Sequence, residues 1–393
     1  MTKYKNLFPV EYNQEGDHNK FSSYYQNILK LHNKKVDIRK VKYISLFTGI
    51  GAIEVALHSI FPNAQCVAYS DIKPLGIEVY QNNFGKESTN LGDISNVTKK
   101  DIINLVKKAG GIDLLFGGFP CKNLTTLAAM THTKTGLYGP KSGLFWKMCE
   151  IIQWLVEINP DLDIIVENNF SMRNKDRDTI SDTLDGIVNK KVNVTHVDGS
   201  LVWVQRRQRY YWSTLPYTPM KYDVSLKDIL EPFDRLDLNI PNSLINTGNG
   251  IWKQNRYKDK EIDCVVVEMV NKKEKLYKLK GKKVTGGRTR WCMRIHSDIF
   301  EPKDMPPQKE HYFKTHDSAN VIVGPAQSIH SVIFDNRFSK DKKKFNIRYF
   351  TITELERLFM FPDGYSDKIN KHPQDLFSNT ILIPVIFNYL VNM

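Results

Sequence analysis

The chain has few cysteines: Cys66, Cys121, Cys149, Cys264 and Cys292 are the five in 393 residues, scattered and with no C-x-x-C pair. An odd, dispersed set excludes a disulfide framework and the usual thiolate zinc motifs, and fits a reducing compartment. No apolar run approaches the ~18–20 residues of a membrane helix, so an integral membrane protein is not expected. The N-terminal MTKYKNLFPVEYNQEGDHNK lacks the apolar stretch of a signal peptide, so secretion is not expected either. Internal repeats and low-complexity tracts are absent. Acid is in short supply: 43 Asp+Glu stand against 56 Lys+Arg, a net charge of +13. That excess points to a polyanionic partner, most simply nucleic acid. The remainder is ordinary globular usage, 41% apolar and 25% charged, in a length that suits two or three domains.

The first forty residues are polar and rich in Tyr, Asn and Lys, and read as an N-terminal extension. From Lys42 short apolar runs begin. Tyr43–Phe47, Cys66–Tyr69, Ile112–Phe116 and Asp163–Val166 read as buried strands, with helices between them. Gly143–Glu157 carries Leu144, Phe145, Met148, Ile151, Ile152 and Leu155 at helical spacing. This alternation predicts a doubly wound, mainly parallel α/β sheet with ligands at the carboxyl ends of its strands. Beyond about Leu215 the alternation stops. Residues 216–345 are irregular, with 25 Lys+Arg against 17 Asp+Glu, or +8 of the total +13. Within 271–294 ten basic residues face one acid, Glu274, with Tyr277 and Trp291 interleaved. Such a segment suits phosphates and base edges. Order returns at Arg348, with a helix over Ile352–Phe361 and an apolar C-terminal segment, Thr380–Val391. The expected divisions are 1–40 extension, 41–215 catalytic domain, 216–345 inserted domain and 346–393 returning segment.

Four constellations could carry chemistry. Phe47-Thr48-Gly49-Ile50-Gly51 follows a strand and precedes a helix, where glycines let backbone approach a ligand. Asp71 follows the next strand, where a carboxylate can accept from ribose hydroxyls. Gly117-Gly118-Phe119-Pro120-Cys121-Lys122-Asn123 puts a cysteine at a strand end, with a lysine beside it to favour the reactive thiolate. Val166-Glu167-Asn168-Asn169 ends another strand with a carboxyl able to exchange a proton. Gln205-Arg206-Arg207-Gln208-Arg209 reads as a strand with Arg207 and Arg209 on one face, guanidinium forks fit for carbonyls, carboxylates and phosphates.

In order and spacing these blocks resemble the DNA (cytosine-5)-methyltransferases, from Tyr43 to the end of the chain. Phe47-Thr48-Gly49-Ile50-Gly51 resembles the S-adenosylmethionine turn. Asp71-Ile72 and Gly92-Asp93-Ile94 resemble the blocks that hold ribose and adenine. Pro120-Cys121 resembles the nucleophile block, Glu167-Asn168 the Glu-Asn block, and Gln205, Arg207 and Arg209 the Gln-x-Arg-x-Arg block. Arg348, Glu354, Arg357, Phe361, Pro362 and Asp363 match a structural block, and Asn379 with Pro384-Val385 resembles the last one. The chain departs from the family with Lys122 where Gln is usual, Asn169 for Val and Ser378 for Gly.

The resemblance implies an S-adenosylmethionine-dependent, Rossmann-like methyltransferase fold with a smaller inserted target-recognition domain at 216–345. It implies methylation of cytosine at C5 in double-stranded DNA within a short specific sequence. The base is flipped, and Cys121 attacks C6 while Glu167, Arg207 and Arg209 hold the ring. Phe47, Thr48, Gly49, Gly51, Asp71, Ile72, Asp93, Ile94, Pro120 and Asn379 are the implied cofactor contacts. Lys122, Asn123, Thr125, Arg288, Arg290 and Arg294 are the expected DNA contacts. No metal is needed. The protein is expected as a monomer on DNA, inside the cell, in the cytoplasm if microbial and the nucleus if eukaryotic. A cognate restriction endonuclease as a separate protein is compatible with this reading. An RNA cytosine methyltransferase and a nonenzymatic DNA-binding relative stay open as alternatives.

Overall fold

The apolar runs become adjacent strands because each can bury both faces only inside a sheet covered on both sides. The computed structural model describes residues 3–8, 10–16, 19–121, 123–124, 135–231, 266–270, 273–277, 294–296, 319–320, 331–334, 347–366 and 373–393. The chain divides into a larger unit, 7–202 with 207–221 and 380–393, and a smaller one, 1–6 with 203–206 and 222–379. No described helix is long and apolar enough to cross a membrane.

The larger unit runs through α1 (Lys20–Tyr24), α2 (Gln26–Leu31), β1 (Lys42–Leu46), α3 (Ala52–Ile60), β2 (Gln65–Ser70), α4 (Pro74–Phe84) and β3 (Thr89–Asn90). It continues through α5 (Lys99–Ala109), β4 (Leu114–Gly117), α6 (Leu144–Ile158), β5 (Asp163–Asn169), α7 (Asn174–Ile187), β6 (Asn193–Asp198), β7 (Gln208–Ser213) and α8 (Ile383–Leu390). The seven strands stand in the order β3-β2-β1-β4-β5-β7-β6. β3, β2, β1, β4 and β5 are parallel, and β7 runs antiparallel to both β5 and β6. This is the expected doubly wound, mainly parallel sheet.

Alternation along each strand sorts the core into two layers. Ile44, Leu46, Leu115, Ile164, Val166 and Trp212 share one cluster with Ile102 and Val106 of α5, Ile151, Ile152 and Leu155 of α6, and Leu184 of α7. On the opposite face Tyr43 meets His58 edge-on and Tyr69 stacks on Tyr80. There α3 packs against both α1 and α8. The first forty residues do more than extend the chain: Phe21, Tyr24, Tyr25, Ile28 and Leu29 are buried. Their spacing is that of a helix face, so their apolar mass outweighs the polar composition around them.

In the smaller unit, 266–270 and 273–277 form an antiparallel hairpin, and 331–334 lies between 294–296 and 347–349. The helix Ile352–Phe359 opens on a Thr351/Glu354 capping box. Within it Arg357 is a hub: Nε donates to Asp363 Oδ1 at 2.8 Å and Nη1 to the Ile229 carbonyl at 3.1 Å. The Trp203 indole donates in turn to the Arg357 carbonyl at 3.1 Å. The block of Glu354, Arg357 and Asp363 is thus a buried polar knot of this unit.

One buried acid lies below the glycine turn. Glu54, in the first turn of α3, is fully buried, and neither carboxyl oxygen has a hydrogen-bond partner among the described residues. Burial pushes its pKa from 4.5 to about 7, with the nearby Ser45 hydroxyl pulling the other way. Between about 4.5 and 7 the unfolded chain releases a proton that the folded chain retains. Stability from this group is therefore complete below the lower value and is lost as pH rises through the upper one. Glu54→Gln should remove that loss, so urea denaturation should find the variant gaining on the order of 3 kcal/mol on wild type between acid and mildly alkaline pH.

Candidate functional site

The sheet order reverses between β1 and β4, which opens a crevice at the carboxyl ends of the parallel strands. The loops after β3, β2 and β1 lie on one side of it, those after β4 and β5 on the other. Because β7 is antiparallel, its amino end falls at the same edge, with Arg209 paired opposite Asn169. One edge of one sheet therefore carries Asp93, Asp71, the glycine turn, Cys121, Glu167 and Arg209, in that order.

On the first side the turn after β1 is held from beneath. Thr48 Oγ1 lies 3.0 Å from the Ser45 carbonyl, and Thr48 N donates to the Ser70 carbonyl at 3.0 Å. Phe47 sits at φ 59°, a left-handed conformation costly for a side chain of its size. Asp71 Oδ2 accepts from Gly49 N at 2.8 Å and Oδ1 from Lys73 N at 2.8 Å, so this carboxylate is fixed by backbone. Asn90, absent from the sequence reading, bridges the two loops: its Oδ1 accepts from Gly92 N at 2.9 Å. The Ser95 hydroxyl and N–H hold the Asp93 carboxyl below its usual range.

This side fits a nucleoside cofactor. Gly49 and Gly92 both have positive φ, 61° and 63°, and a Cβ on either would meet nothing within 4 Å. Ile72, beside Asp71, is 68% exposed, an apolar side chain facing out of the edge. Ile94 differs: it is buried in the core, so its side chain is spent on packing. Asn379 lies in the smaller unit, exposed after the helix Pro373–Ser378, its amide donating to Ser378 Oγ at 3.1 Å.

On the second side three charged groups act on one thiol. Arg209 Nε lies 2.7 Å from Glu167 Oε1, and both side chains are 12% exposed. Burial pushes the Cys121 thiol up, Arg209 pulls it down, Glu167 pushes it up and Arg207 pulls it down. Asn168 ties the Cys121 loop to β5, its amide donating to the Phe119 carbonyl at 2.9 Å.

Arg207 departs from the sequence reading. The expected continuous strand breaks there: Gln205–Arg206 pairs with Ala319–Asn320, while β7 begins at Gln208. Arg207 turns inward, and its Nη2 donates to the Thr380 carbonyl at 2.7 Å. Burial first, and then the neighbouring Arg209 charge, push its pKa down to about 9. Asn123, expected at DNA, is buried, and its Oδ1 accepts from Lys141 N at 3.2 Å and Ser142 N at 3.3 Å. Lys122, Thr125, Arg288 and Arg290 lie outside the described residues, and Arg294 is described only as backbone of the strand 294–296. Among the described residues no three His, Cys, Asp or Glu side chains are grouped as metal ligands.

These influences set the sign of a reactivity test, since only the thiolate alkylates. At mildly alkaline pH, iodoacetamide should modify Cys121 about 3- to 10-fold more slowly in Arg209→Ala and about 3- to 10-fold faster in Glu167→Gln. Peptide-resolved mass spectrometry measures both; equal rates in all three proteins would contradict this electrostatic account.

Part of the chain is similar to known proteins. The family model for C-5 cytosine-specific DNA methylase matches residues 41–194. DNA (cytosine-5)-methyltransferase DRM2 of Arabidopsis thaliana is 35% identical over 118 residues, 29% of this chain and 18% of that protein. Type II methyltransferase M2.BsuMI of Bacillus subtilis is 31% identical over 128 residues, 33% of this chain and 29% of that protein. The match thus spans less than a third of either relative. Two solved structures share the fold: Entamoeba histolytica methyltransferase EhMeth, at 15% identity and TM-score 0.58, and S. pombe Dnmt2 methyltransferase, at 17% and 0.55. Each alignment covers 90% of this chain, and they cover 97% and 98% of the respective partner chains. The stretch similar to C-5 cytosine-specific DNA methylases, residues 41–194, holds the glycine turn, Cys121 and Glu167.

Proposed function

We propose that the protein methylates cytosine at C5 in double-stranded DNA, within a short specific sequence, using S-adenosylmethionine. The observation that carries this reading is the meeting of Cys121, Glu167 and Arg209 at one sheet edge, beside a glycine turn with open space before it. The cofactor, when bound, supplies an electrophilic methyl group. Gly49 and Gly92 leave room for its backbone-hugging parts, Gly51 turns the chain beside them, Asp71 stands ready for the ribose hydroxyls, and Ile72 offers an apolar surface to the adenine. Thr48, Phe47, Pro120, Asp93 and Asn379 complete the proposed set.

The target base has to leave the helix, because its ring atoms are inaccessible in the stack. The Cys121 thiolate then adds to C6, and the ring's electron pair moves toward N3 and O2. Glu167 holds N3, either donating a proton or sharing one, and Arg209 faces O2 with its charge. The resulting enamine would be nucleophilic at C5 and would take the methyl group there, the methyl–sulfur bond of the cofactor breaking to leave a thioether. Loss of the C5 proton to a base and departure of the Cys121 sulfur restore the aromatic ring. Dividing one difficult substitution into an addition and an elimination is what a covalent nucleophile contributes. Arg207, held to the Thr380 carbonyl, adds a second positive charge that favours the Cys121 thiolate.

The basic insert at 216–345 is the proposed target-recognition domain, with Arg288, Arg290 and Arg294 at bases or phosphates and Lys122 and Thr125 at the flipped nucleotide. Its length and charge favour DNA over RNA as the substrate. Base-resolution mapping of 5-methylcytosine on a methylation-free bacterial genome expressing the chain tests this reading. A repeated modified motif is expected, lost in Cys121→Ser while binding to DNA is retained. An unmodified genome, or the same methylation in Cys121→Ser, would overturn it.

A further inference from the structure

The nucleophile sits in a one-residue clamp. Ser142, two residues before α6, is fully buried, and its hydroxyl reaches both neighbours of the Cys121 region. It donates to the Pro120 carbonyl at 3.0 Å and accepts from Asn123 N at 3.2 Å. Asn123, also buried, returns the contact: its Oδ1 accepts from the backbone N–H groups of Lys141 and Ser142. The Gly136 N–H donates to the Asn123 carbonyl at 3.1 Å, and Leu124 N to the Cys121 carbonyl at 2.9 Å. The packing around the clamp is close: a Cβ on Gly139 would stand 2.5 Å from Asn123 Cγ.

We propose that Ser142, locked by Asn123, is a positioning residue that fixes the backbone on both sides of Cys121 and so holds its sulfur against Arg209 and Glu167. This rests on the reading of Cys121 as the nucleophile. A hydroxyl is the smallest group that can donate to one strand of a loop and accept from the other at once. Neither contact involves the Cys121 side chain, so the clamp acts on where the sulfur stands and leaves the sulfur itself free to react. The residue before the cysteine and the one two beyond it are tied to a single atom, so the nucleophile cannot drift without breaking a buried hydrogen bond. Misplacement of a reacting atom by about 1 Å is enough to cost on the order of 100-fold in rate.

The test compares wild type with Ser142→Ala, Ser142→Thr and Asn123→Ala. Methyl transfer to duplex DNA gives kcat and KM, and iodoacetamide alkylation of Cys121 across pH, read by peptide mass spectrometry, needs neither DNA nor turnover. In Ser142→Ala, kcat should fall about 10- to 100-fold with both KM values within about twofold, and the Cys121 alkylation profile should shift along the pH axis. Ser142→Thr, which keeps the hydroxyl, should restore both. If Ser142→Ala does not fold, Asn123→Ala carries the same expectation from the other side of the clamp. An unchanged kcat and an unchanged alkylation profile, with only a lower melting temperature, would overturn the proposal. Absence of methyl transfer in wild type would sink the nucleophile reading, and the alkylation profiles would still decide whether the clamp sets Cys121 reactivity.

Discussion

An antiparallel strand set between β5 and β6 of a mainly parallel sheet brings a cation to a place where parallel topology alone supplies none. β7 returns along β5 with Arg209 opposite Asn169, and its guanidinium lies 2.7 Å from the Glu167 carboxyl. Both groups are largely withdrawn from water, so each depends on the other: removing one partner of such a pair costs about 3–5 kcal/mol by stranding the other. The pair also sets the electrostatics of Cys121. Its cation draws the thiol pKa down and its anion pushes it up, so the thiol answers to whichever charge is less engaged.

The other half of the edge is built on different physics. There backbone N–H groups held by the Asp71 and Asn90 side chains, with the strained Phe47, fix the loops and leave open volume in front of Gly49 and Gly92. This half presents fixed backbone and side-chain donors and acceptors, whereas the half with Cys121 presents full charges in a partly dry setting. The two halves adjoin where the sheet order reverses, so neither requires a long loop to reach the other.

Much of this was legible in the sequence because local and global demands agree. The runs around Ile44, Leu115 and Ile164 have no other way to bury both faces, and the glycine turn and Cys121 follow strand ends directly. What escaped reading depends on partners far along the chain. Arg207 leaves the strand pattern because the Thr380 carbonyl, 173 residues away, captures it. Ser142 looks like any turn serine until Pro120 and Asn123 are brought against it. Asn123 reads as a loop residue near a substrate, yet its side-chain oxygen is consumed by the base of its own loop. Glu54 replaces the glycine of a familiar nucleotide pattern with a carboxyl, and only its burial identifies it as a neutral acid at mildly acidic pH. The aromatic face of residues 21–29 was readable at helical spacing, but it was hidden by a composition rich in Asn and Lys.

The central claim is that Cys121 forms a covalent bond to the target ring. A duplex containing 5-fluoro-2′-deoxycytidine at the methylated position tests it most directly, because fluorine at C5 cannot leave as a proton does and the addition product is trapped. With S-adenosylmethionine present, the account predicts a stable protein–DNA adduct whose attached peptide carries Cys121. An adduct at another residue, or turnover of ordinary cytosine with no adduct on the fluorinated duplex, would contradict it.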